Sequence, residues 1–174
     1  MRNRAVVVAV VFLLAGGFFI GGCAGKPGSG SAIGSGGHLT AEQRFTLKNL
    51  NNENTGLDQV LANNKAVLID FWATWCGYCV EEMPDLIRLQ EANKGRGFTV
   101  LAVNVGESSR QASAFSDKMK LNFPIVLDED MAVSQKYGLV GIPTSILVNS
   151  TGKILGVYHE FSHSLEADVE KALA

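Results

Sequence analysis

The sequence predicts one α/β domain in which helices cover a central mixed sheet. Runs of apolar and β-branched residues alternate with segments of helical periodicity over about 137 residues, from 38 to 174. Two runs, 66–72 and 98–105, are apolar almost throughout, which is typical of strands buried on both faces. The last two runs flank Ser150-Thr151-Gly152 and are therefore expected to pair as a hairpin. Alternation of this kind indicates helices packed on a sheet.

Each element follows from its local pattern. Strands are predicted where β-branched and aromatic residues cluster between turn residues: 45–50, 66–72, 98–105, 123–127, 144–148 and 154–158. Helices are predicted where apolar residues recur at helical spacing: 57–62, 76–93, 108–120, 130–137 and 165–173. The asparagines within 51–54 mark a turn, and Ser108 or Ser109 can cap the third helix.

Residues 1–22 have the features of an export signal. Arg2 and Arg4 precede an apolar stretch over 5–20, and small residues lead to Cys23. The stretch is shorter than the roughly 20 residues that a spanning helix needs, although an uncleaved anchor stays open as an alternative. The run Ile20-Gly21-Gly22-Cys23 resembles the lipobox of bacterial lipoproteins. That resemblance implies that Cys23 is acylated, becomes the mature N-terminus and anchors the chain to a membrane.

A Gly/Ser-rich stretch, 24–37, separates this signal from the folded body and is predicted to be a flexible tether. About 15 such residues have an r.m.s. reach of roughly 20 Å. We therefore divide the chain into a signal peptide over 1–22, a lipidated tether over 23–38 and a folded domain over 39–174. Export would place this domain outside the cytoplasm, where disulfides form and persist.

The charge balance argues against nucleic acid as a partner. Removal of residues 1–22 takes away two positive charges and no negative ones, so the formal net charge goes from −2 to −4. A mildly acidic body gives no support to nucleic-acid binding.

Two cysteines lie where the strand over 66–72 gives way to the predicted helix, in Trp75-Cys76-Gly77-Tyr78-Cys79. A helix N-terminus carries partial positive charge and free N–H groups, which lower a cysteine pKa from its usual value of roughly 8.5. Cys76 is therefore the predicted nucleophile. Cys79, three residues on, can form a disulfide with it across the first helical turn. The pattern predicts thiol–disulfide exchange.

A zinc site is the main structural alternative for a C-x-x-C pair. Structural zinc needs four ligands, and the rest of the sequence offers Cys23, His38, His159 and His163. We interpret His159 and His163, which are flanked by polar residues, as solvated surface groups. We therefore expect no metal and no cofactor.

Two segments resemble thioredoxin. Residues 67–76 (VLIDFWATWC) are similar to its active-site strand, and residues 141–144 (GIPT) are similar to its cis-proline loop. The resemblance covers nearly all of 40–174. It implies a thioredoxin-like fold in which Pro143 is cis and lies against the disulfide, while the backbone of Ile142 pairs with an incoming peptide. Trp75 is expected to cover part of the same surface.

Three further segments resemble the ResA/TlpA group of membrane-tethered, extracytoplasmic thioredoxin-like proteins. They are 81–84 (EEMP), 101–108 (LAVNVGES) and 122–128 (NFPIVLD). The resemblance implies an inserted helix and strand between Ser108 and Asp128, after an N-terminal extension.

Two acidic residues are candidates for proton transfer with Cys79. Asp70 lies inside an apolar strand and matches the buried aspartate of thioredoxin, and burial would raise its pKa. Glu82 lies on a helical stripe whose other members are leucines, and it matches the active-site glutamate of the ResA-like group. A neutral residue is common at the aspartate position in that group, so the presence of both acids departs from its pattern. Which acid serves Cys79 stays open.

The resemblance implies a protein-disulfide reductase, and we expect it to be a monomer. Its client would be a disulfide-containing protein such as apocytochrome c, and a membrane thiol–disulfide electron donor would reduce it again. The direction of exchange stays open because the intervening pair Gly77-Tyr78 tunes the reduction potential.

Two other functions are weighed against this one. A thiol peroxidase would need Pro and Thr where this chain has Ile69 and Ala73. A copper-binding chaperone of the same fold would need a histidine near the active loop, whereas His159 lies far along the chain.

Overall fold

The computed structural model describes residues 34–174. The predicted signal peptide over 1–22, Cys23 and most of the predicted tether lie outside the described residues. The strands are β1 (Thr46–Asn49), β2 (Asn54–Gly56), β3 (Ala66–Trp72), β4 (Phe98–Val105), β5 (Ile125–Asp128), β6 (Thr144–Asn149) and β7 (Ile154–Tyr158). The helices are α1 (Leu57–Ala62), α2 (Gly77–Asn93), α3 (Ser109–Met119), α4 (Ala132–Lys136) and α5 (His163–Leu173), with short 3₁₀ helices at Ala41–Gln43 and Lys94–Arg96.

The seven strands form one mixed sheet in the order β2-β1-β5-β4-β3-β6-β7. β3, β4 and β5 run parallel, whereas β1, β2, β6 and β7 pair with their neighbours antiparallel. Every residue of β3 and β4 is buried, because both strands lie inside the sheet with helices on both faces. The sheet confirms the predicted thioredoxin-like class, and α3 with β5 forms the expected inserted helix and strand.

Alternate side chains of β3 enter two different apolar layers. Leu68 and Trp72 pack with Cys79 and the other buried residues of α2 and α5. Ile69 and Phe71 pack on the opposite face with residues from α1 and α4. Because side chains alternate along a strand, Asp70 points to the same face as Leu68 and Trp72, which is the α2 face.

The predicted elements differ from the observed ones mainly at their ends. The turn expected over 51–54 ends at Asn54, where the short strand β2 starts and pairs with β1. Asn52 adopts a left-handed backbone with φ 64°, and the Asn49 side chain accepts hydrogen bonds from two amides of the turn. The sequence Asn-Thr-Gly in β2 has no apolar pattern, so its pairing was not predictable. Helix α5 starts at His163 rather than 165, because Ser162 is its N-cap.

The segment before the domain attaches to the sheet at the end opposite the C-x-x-C motif. The amides of Gly36 and Leu39 donate to the carbonyls of Ile154 and Gly152 at 2.9 and 2.8 Å. Hydrogen-bonded structure therefore starts at Gly36, three residues before the boundary expected at 39. None of the helices within 34–174 is long and apolar enough to cross a membrane.

Candidate active site

The junction between β3 and α2 places the two cysteines at a helix N-terminus. Cys76 is the N-cap of α2, and its Sγ accepts a hydrogen bond from the Cys79 amide at 3.2 Å. The two residues form a disulfide, with their Cα atoms 5.2 Å apart. After reduction, the same amide and the helix dipole would stabilise a thiolate on Cys76.

The two sulfurs differ in access to solvent. Cys79 is fully buried, whereas Cys76 retains 7% of its exposed surface. The neighbouring aromatic residues Trp75 and Tyr78 are 70% and 77% exposed, which is unusual for large apolar side chains. An incoming disulfide therefore reaches Cys76 first, across a surface with two exposed aromatic rings.

The loop before β6 lies against the disulfide. The peptide bond between Ile142 and Pro143 is cis, in agreement with the resemblance to thioredoxin. The carbonyl oxygen of Ile142 lies 3.7 Å from Cys76 Sγ. A shallow apolar groove beside this loop is lined by Trp75, Met131, Val140 and Ile142, among others. Trp75 and Ile142 thus line one groove, whereas the buried Pro143 lines the neighbouring cavity together with Ile142. That these residues bind a client stays a prediction.

Asp70 is completely buried beneath this surface. Its Oδ1 accepts a hydrogen bond from the Ser145 hydroxyl at 2.7 Å, and its Oδ2 has no partner among the described residues. Loss of hydration raises the pKa of Asp70 from 3.8 to about 6, and the Ser145 bond lowers it only in part.

Glu82 lies on the buried face of α2. Its Oε2 accepts a hydrogen bond from the Phe161 amide at 3.1 Å, and its Oε1 has no partner within the described residues. Burial, followed by the charges of Asp70 and Asp85, raises the pKa of Glu82 to about 8, against a lowering by the Phe161 amide. The titrations of Asp70 and Glu82 are linked through their charges, and the charge of Asp70 adds to burial in raising the pKa of Glu82.

Glu107 is a site residue that the sequence analysis did not single out. It is buried, and its Oε2 accepts hydrogen bonds from the Thr74 amide at 2.8 Å and the Asn104 side chain at 2.7 Å. Its Oε1 also accepts a hydrogen bond from the Thr74 hydroxyl. Glu107 therefore holds the chain two residues before Cys76. Glu107 follows the apolar strand β4, whose carboxyl end lies beside the carboxyl end of β3. Its position just after a buried parallel strand was the one feature of the sequence that could have indicated a site residue.

An open cavity of about 650 Å³ lies between α2, the cis-proline loop and the segment after β7. Four acids line it, namely Glu81, Glu82, Asp85 and Glu160, together with residues that include Ile142, Pro143, His159 and Phe161. The cavity therefore offers negative charge and apolar surface beside the loop that contacts Cys76.

The structure corrects our placement of His159. The side chain is exposed, as expected, but the inference that it lies away from the active loop is wrong. It lines the acidic cavity, and its Nδ1 lies 3.2 Å from the hydroxyl of Thr144, next to Pro143. The antiparallel pairing of β6 with β7 brings these distant positions together. His163 is fully exposed, and its Nδ1 lies 3.1 Å from Glu166 Oε2. Within residues 34–174, no group of three or more His, Cys, Asp or Glu residues could hold a metal ion.

Comparison with known proteins agrees with this geometry. The profile of the AhpC/TSA family matches residues 40–157. The thiol-disulfide oxidoreductase ResA of Halalkalibacterium halodurans is 36% identical over 114 residues, which cover 66% of this chain and 64% of that protein. ResA of Bacillus subtilis is 35% identical over 113 residues, which cover 65% of this chain and 62% of that protein. The matched regions thus span less than two thirds of these relatives.

Two solved structures are similar over most of the chain. One is the thioredoxin domain of a thiol-disulfide oxidoreductase from Bacteroides vulgatus, with a TM-score of 0.72, 27% identity, and coverage of 82% of this chain and 100% of that one. The other is a protein assigned as the thiol:disulfide interchange protein DsbE from Chlorobium tepidum, with a TM-score of 0.74, 28% identity and the same coverage.

The raised pKa of Asp70 predicts a pH-dependent stability. The folded chain binds this proton more tightly than the unfolded chain does, so stability falls as pH rises from about 4 through about 6. Asp70→Asn removes that dependence. We expect the variant to gain about 3 kcal/mol relative to the unsubstituted protein across this window, from a shift of roughly two units.

Urea unfolding of the oxidised protein at a series of pH values measures this effect. Glu81→Gln, which changes an exposed acid on α2, should leave this pH dependence unchanged. If the free energy of unfolding of Asp70→Asn and of the unsubstituted protein changed with pH in parallel, the raised pKa of Asp70 would be contradicted.

Proposed function

The chain belongs to the AhpC/TSA family, and we propose that it is a thiol–disulfide oxidoreductase that reduces client proteins through Cys76 and Cys79. The observation that carries this proposal is the asymmetry of the disulfide. Cys76 keeps a small exposed fraction of 7% and accepts a hydrogen bond from a helix N-terminal amide, whereas Cys79 is fully buried. Such a pair is suited to an attacking thiolate and a resolving thiol.

The reaction follows from the positions of the two sulfurs. The Cys76 thiolate attacks one sulfur of the client disulfide, so a mixed disulfide forms and the other client sulfur leaves as a thiolate. Cys79 then loses its proton and attacks Cys76 Sγ. This step breaks the mixed disulfide, releases the second client sulfur and forms the disulfide between Cys76 and Cys79. Two electrons pass from the protein to the client.

We propose Asp70 as the proton acceptor for Cys79 near neutral pH. Its pKa of about 6 leaves it largely ionised, and its Oδ2 has no partner among the described residues. Glu82 has a pKa of about 8 and is therefore largely protonated. The titrations of the two acids are coupled through their charges, so their pKa values belong to the pair.

A peroxidase is the less favoured alternative. Ile69 and Ala73 occupy the positions at which the peroxidatic pattern has Pro and Thr, and both are buried. Neither side chain offers a hydroxyl to a bound peroxide. Turnover of hydrogen peroxide by the reduced protein would support the peroxidase instead. Tight copper binding without reductase activity would support a copper chaperone.

Substitution of each cysteine separates the two steps. With Cys79→Ala, we expect reduced protein and insulin to accumulate a mixed disulfide at Cys76, because no thiol is left to resolve it. With Cys76→Ala, we expect neither the adduct nor insulin reduction, because Cys79 is buried. Non-reducing gels and mass spectrometry measure both products. Insulin reduction by Cys76→Ala at the unsubstituted rate would reject the proposal.

Apocytochrome c is the proposed client, by resemblance to the ResA/TlpA group. The acidic cavity supports this assignment, because its acids other than Glu82, namely Glu81, Asp85 and Glu160, suit a client segment with a basic or histidine side chain beside its cysteines. A redox titration against glutathione decides the direction. A potential near the roughly −270 mV of thioredoxin favours reduction, whereas one near the roughly −120 mV of DsbA favours disulfide donation.

We expect reduced protein to reduce a peptide with an oxidised Cys-x-x-Cys-His motif faster than the same peptide with glutamate in place of histidine. The reason is attraction between the cavity acids and a cationic or polar client side chain, so the difference should shrink as salt is added. Stopped-flow kinetics at two ionic strengths measure it. Equal rates for both peptides would remove the support for this client.

Attachment to a membrane through Cys23 completes the proposal, with an extracytoplasmic location and a membrane thiol donor. The fold is compatible with it, because the segment over 36–39 enters the sheet at the end opposite the disulfide. An anchor before this segment would leave Cys76 on the side that faces soluble clients.

Cys23→Ala should release the protein from the membrane fraction and abolish incorporation of labelled palmitate. Insulin reduction by the purified protein should not change, because Cys23 precedes the folded domain. Cys23→Ser serves as a second test of the same sulfur. Retention of both variants in the membrane would favour the uncleaved apolar anchor instead.

A further inference from the structure

The segment over 140–142 has little support from its own backbone. Among the described residues, its amides and carbonyls make no backbone–backbone hydrogen bond. Val140 is 97% exposed. Behind the loop lies a small cavity of about 150 Å³, lined by residues that include Leu139, Val140, Thr144 and His159. A loop that is exposed on one side and lies over a void on the other needs another restraint.

That restraint comes from two side chains. The Thr144 hydroxyl donates to the Gly141 carbonyl at 2.8 Å, and it lies 3.2 Å from His159 Nδ1. The hydroxyl has a single hydrogen, and the Gly141 carbonyl can only accept. His159 Nδ1 must therefore carry a proton and donate to Thr144. In the neutral ring, the lone pair is then on Nε2.

The register of the hairpin explains why these residues meet. Ser145 of β6 is opposite Tyr158 of β7, so the positions just outside the pair are Thr144 and His159. The ring of His159 therefore orients the hydroxyl that ties Gly141, and Gly141 precedes the residue whose carbonyl lies 3.7 Å from Cys76 Sγ.

We propose that His159 is a positioning residue for client binding, which acts through Thr144 to hold the loop over 140–143 in the conformation that pairs with a client strand. This inference rests on the proposed reductase function. The chain of contacts from His159 through Thr144 to Gly141 is called the loop clamp below. The clamp keeps the backbone of Ile142 free and in place, as strand addition requires.

The test compares a protein disulfide with a small disulfide. Insulin must align its backbone with the loop, whereas bis(2-hydroxyethyl) disulfide reacts at Cys76 without it. We expect His159→Ala and Thr144→Val each to raise the KM for insulin about five-fold, which corresponds to one ordinary hydrogen bond. The kcat for insulin and the rate with the small disulfide should stay unchanged.

Two conservative variants separate the clamp from direct contact with the client. His159→Asn places an amide N–H near the former Nδ1 and should restore most of the KM, as should Thr144→Ser. The double variant His159→Ala with Thr144→Val should be no worse than either single variant, because both remove the same link. His163→Ala, at an exposed histidine outside the site, is the control.

The full-length chain, purified in detergent, is used throughout, and thermal unfolding shows that each variant is folded. Nitrogen-15 NMR of the ring should show the Nδ1–H tautomer for His159 at a pH where the ring is neutral. The proposal is wrong if His159→Ala and Thr144→Val have additive effects on the KM for insulin, or if His159→Asn behaves like His159→Ala. It is also wrong if reduction of insulin and reduction of the small disulfide slow equally. Absence of insulin reduction by the unsubstituted protein would instead reject the reductase function itself.

Discussion

The hydrogen bond from the Cys79 amide to Cys76 Sγ is the contact on which the site depends. It exists because the chain leaves the buried strand β3 and starts α2 within a few residues, so that Cys76 becomes the N-cap. The β3 strand is held between β4 and β6, and Glu107 holds the Thr74 backbone between strand and helix. The position of the nucleophile is thus set by the most buried part of the sheet, with little freedom to move.

The same arrangement keeps two carboxyl groups in apolar surroundings. Asp70 and Glu82 each have one oxygen without a partner among the described residues, which costs stability when the acids are ionised. Apolar residues at these positions would remove that cost. Proton transfer to and from Cys79 gives a physical reason for their presence, because a buried acid with a raised pKa can gain or lose a proton near neutral pH.

The hairpin of β6 and β7 builds the other half of the site. It presents the cis-proline loop to Cys76, and the segment after it supplies the Phe161 amide to Glu82 and the ring of His159 to Thr144. Residues separated by about half the domain thereby form one acidic and apolar surface around one accessible sulfur. Client recognition and sulfur chemistry therefore share a scaffold, but they use different side chains within it.

Local pattern was enough for the α/β class, for β3, β4, β7 and α1 at their observed bounds, and for the cysteine pair at a helix N-terminus. These features depend on hydrophobic periodicity and helix capping, which are set by residues close together in the sequence. The polar strand β2, the buried contacts of Glu107 and the place of His159 were decided only by tertiary structure. Each depends on how strands pair within the sheet. The local sequence pattern does not indicate which strand ends will lie next to each other.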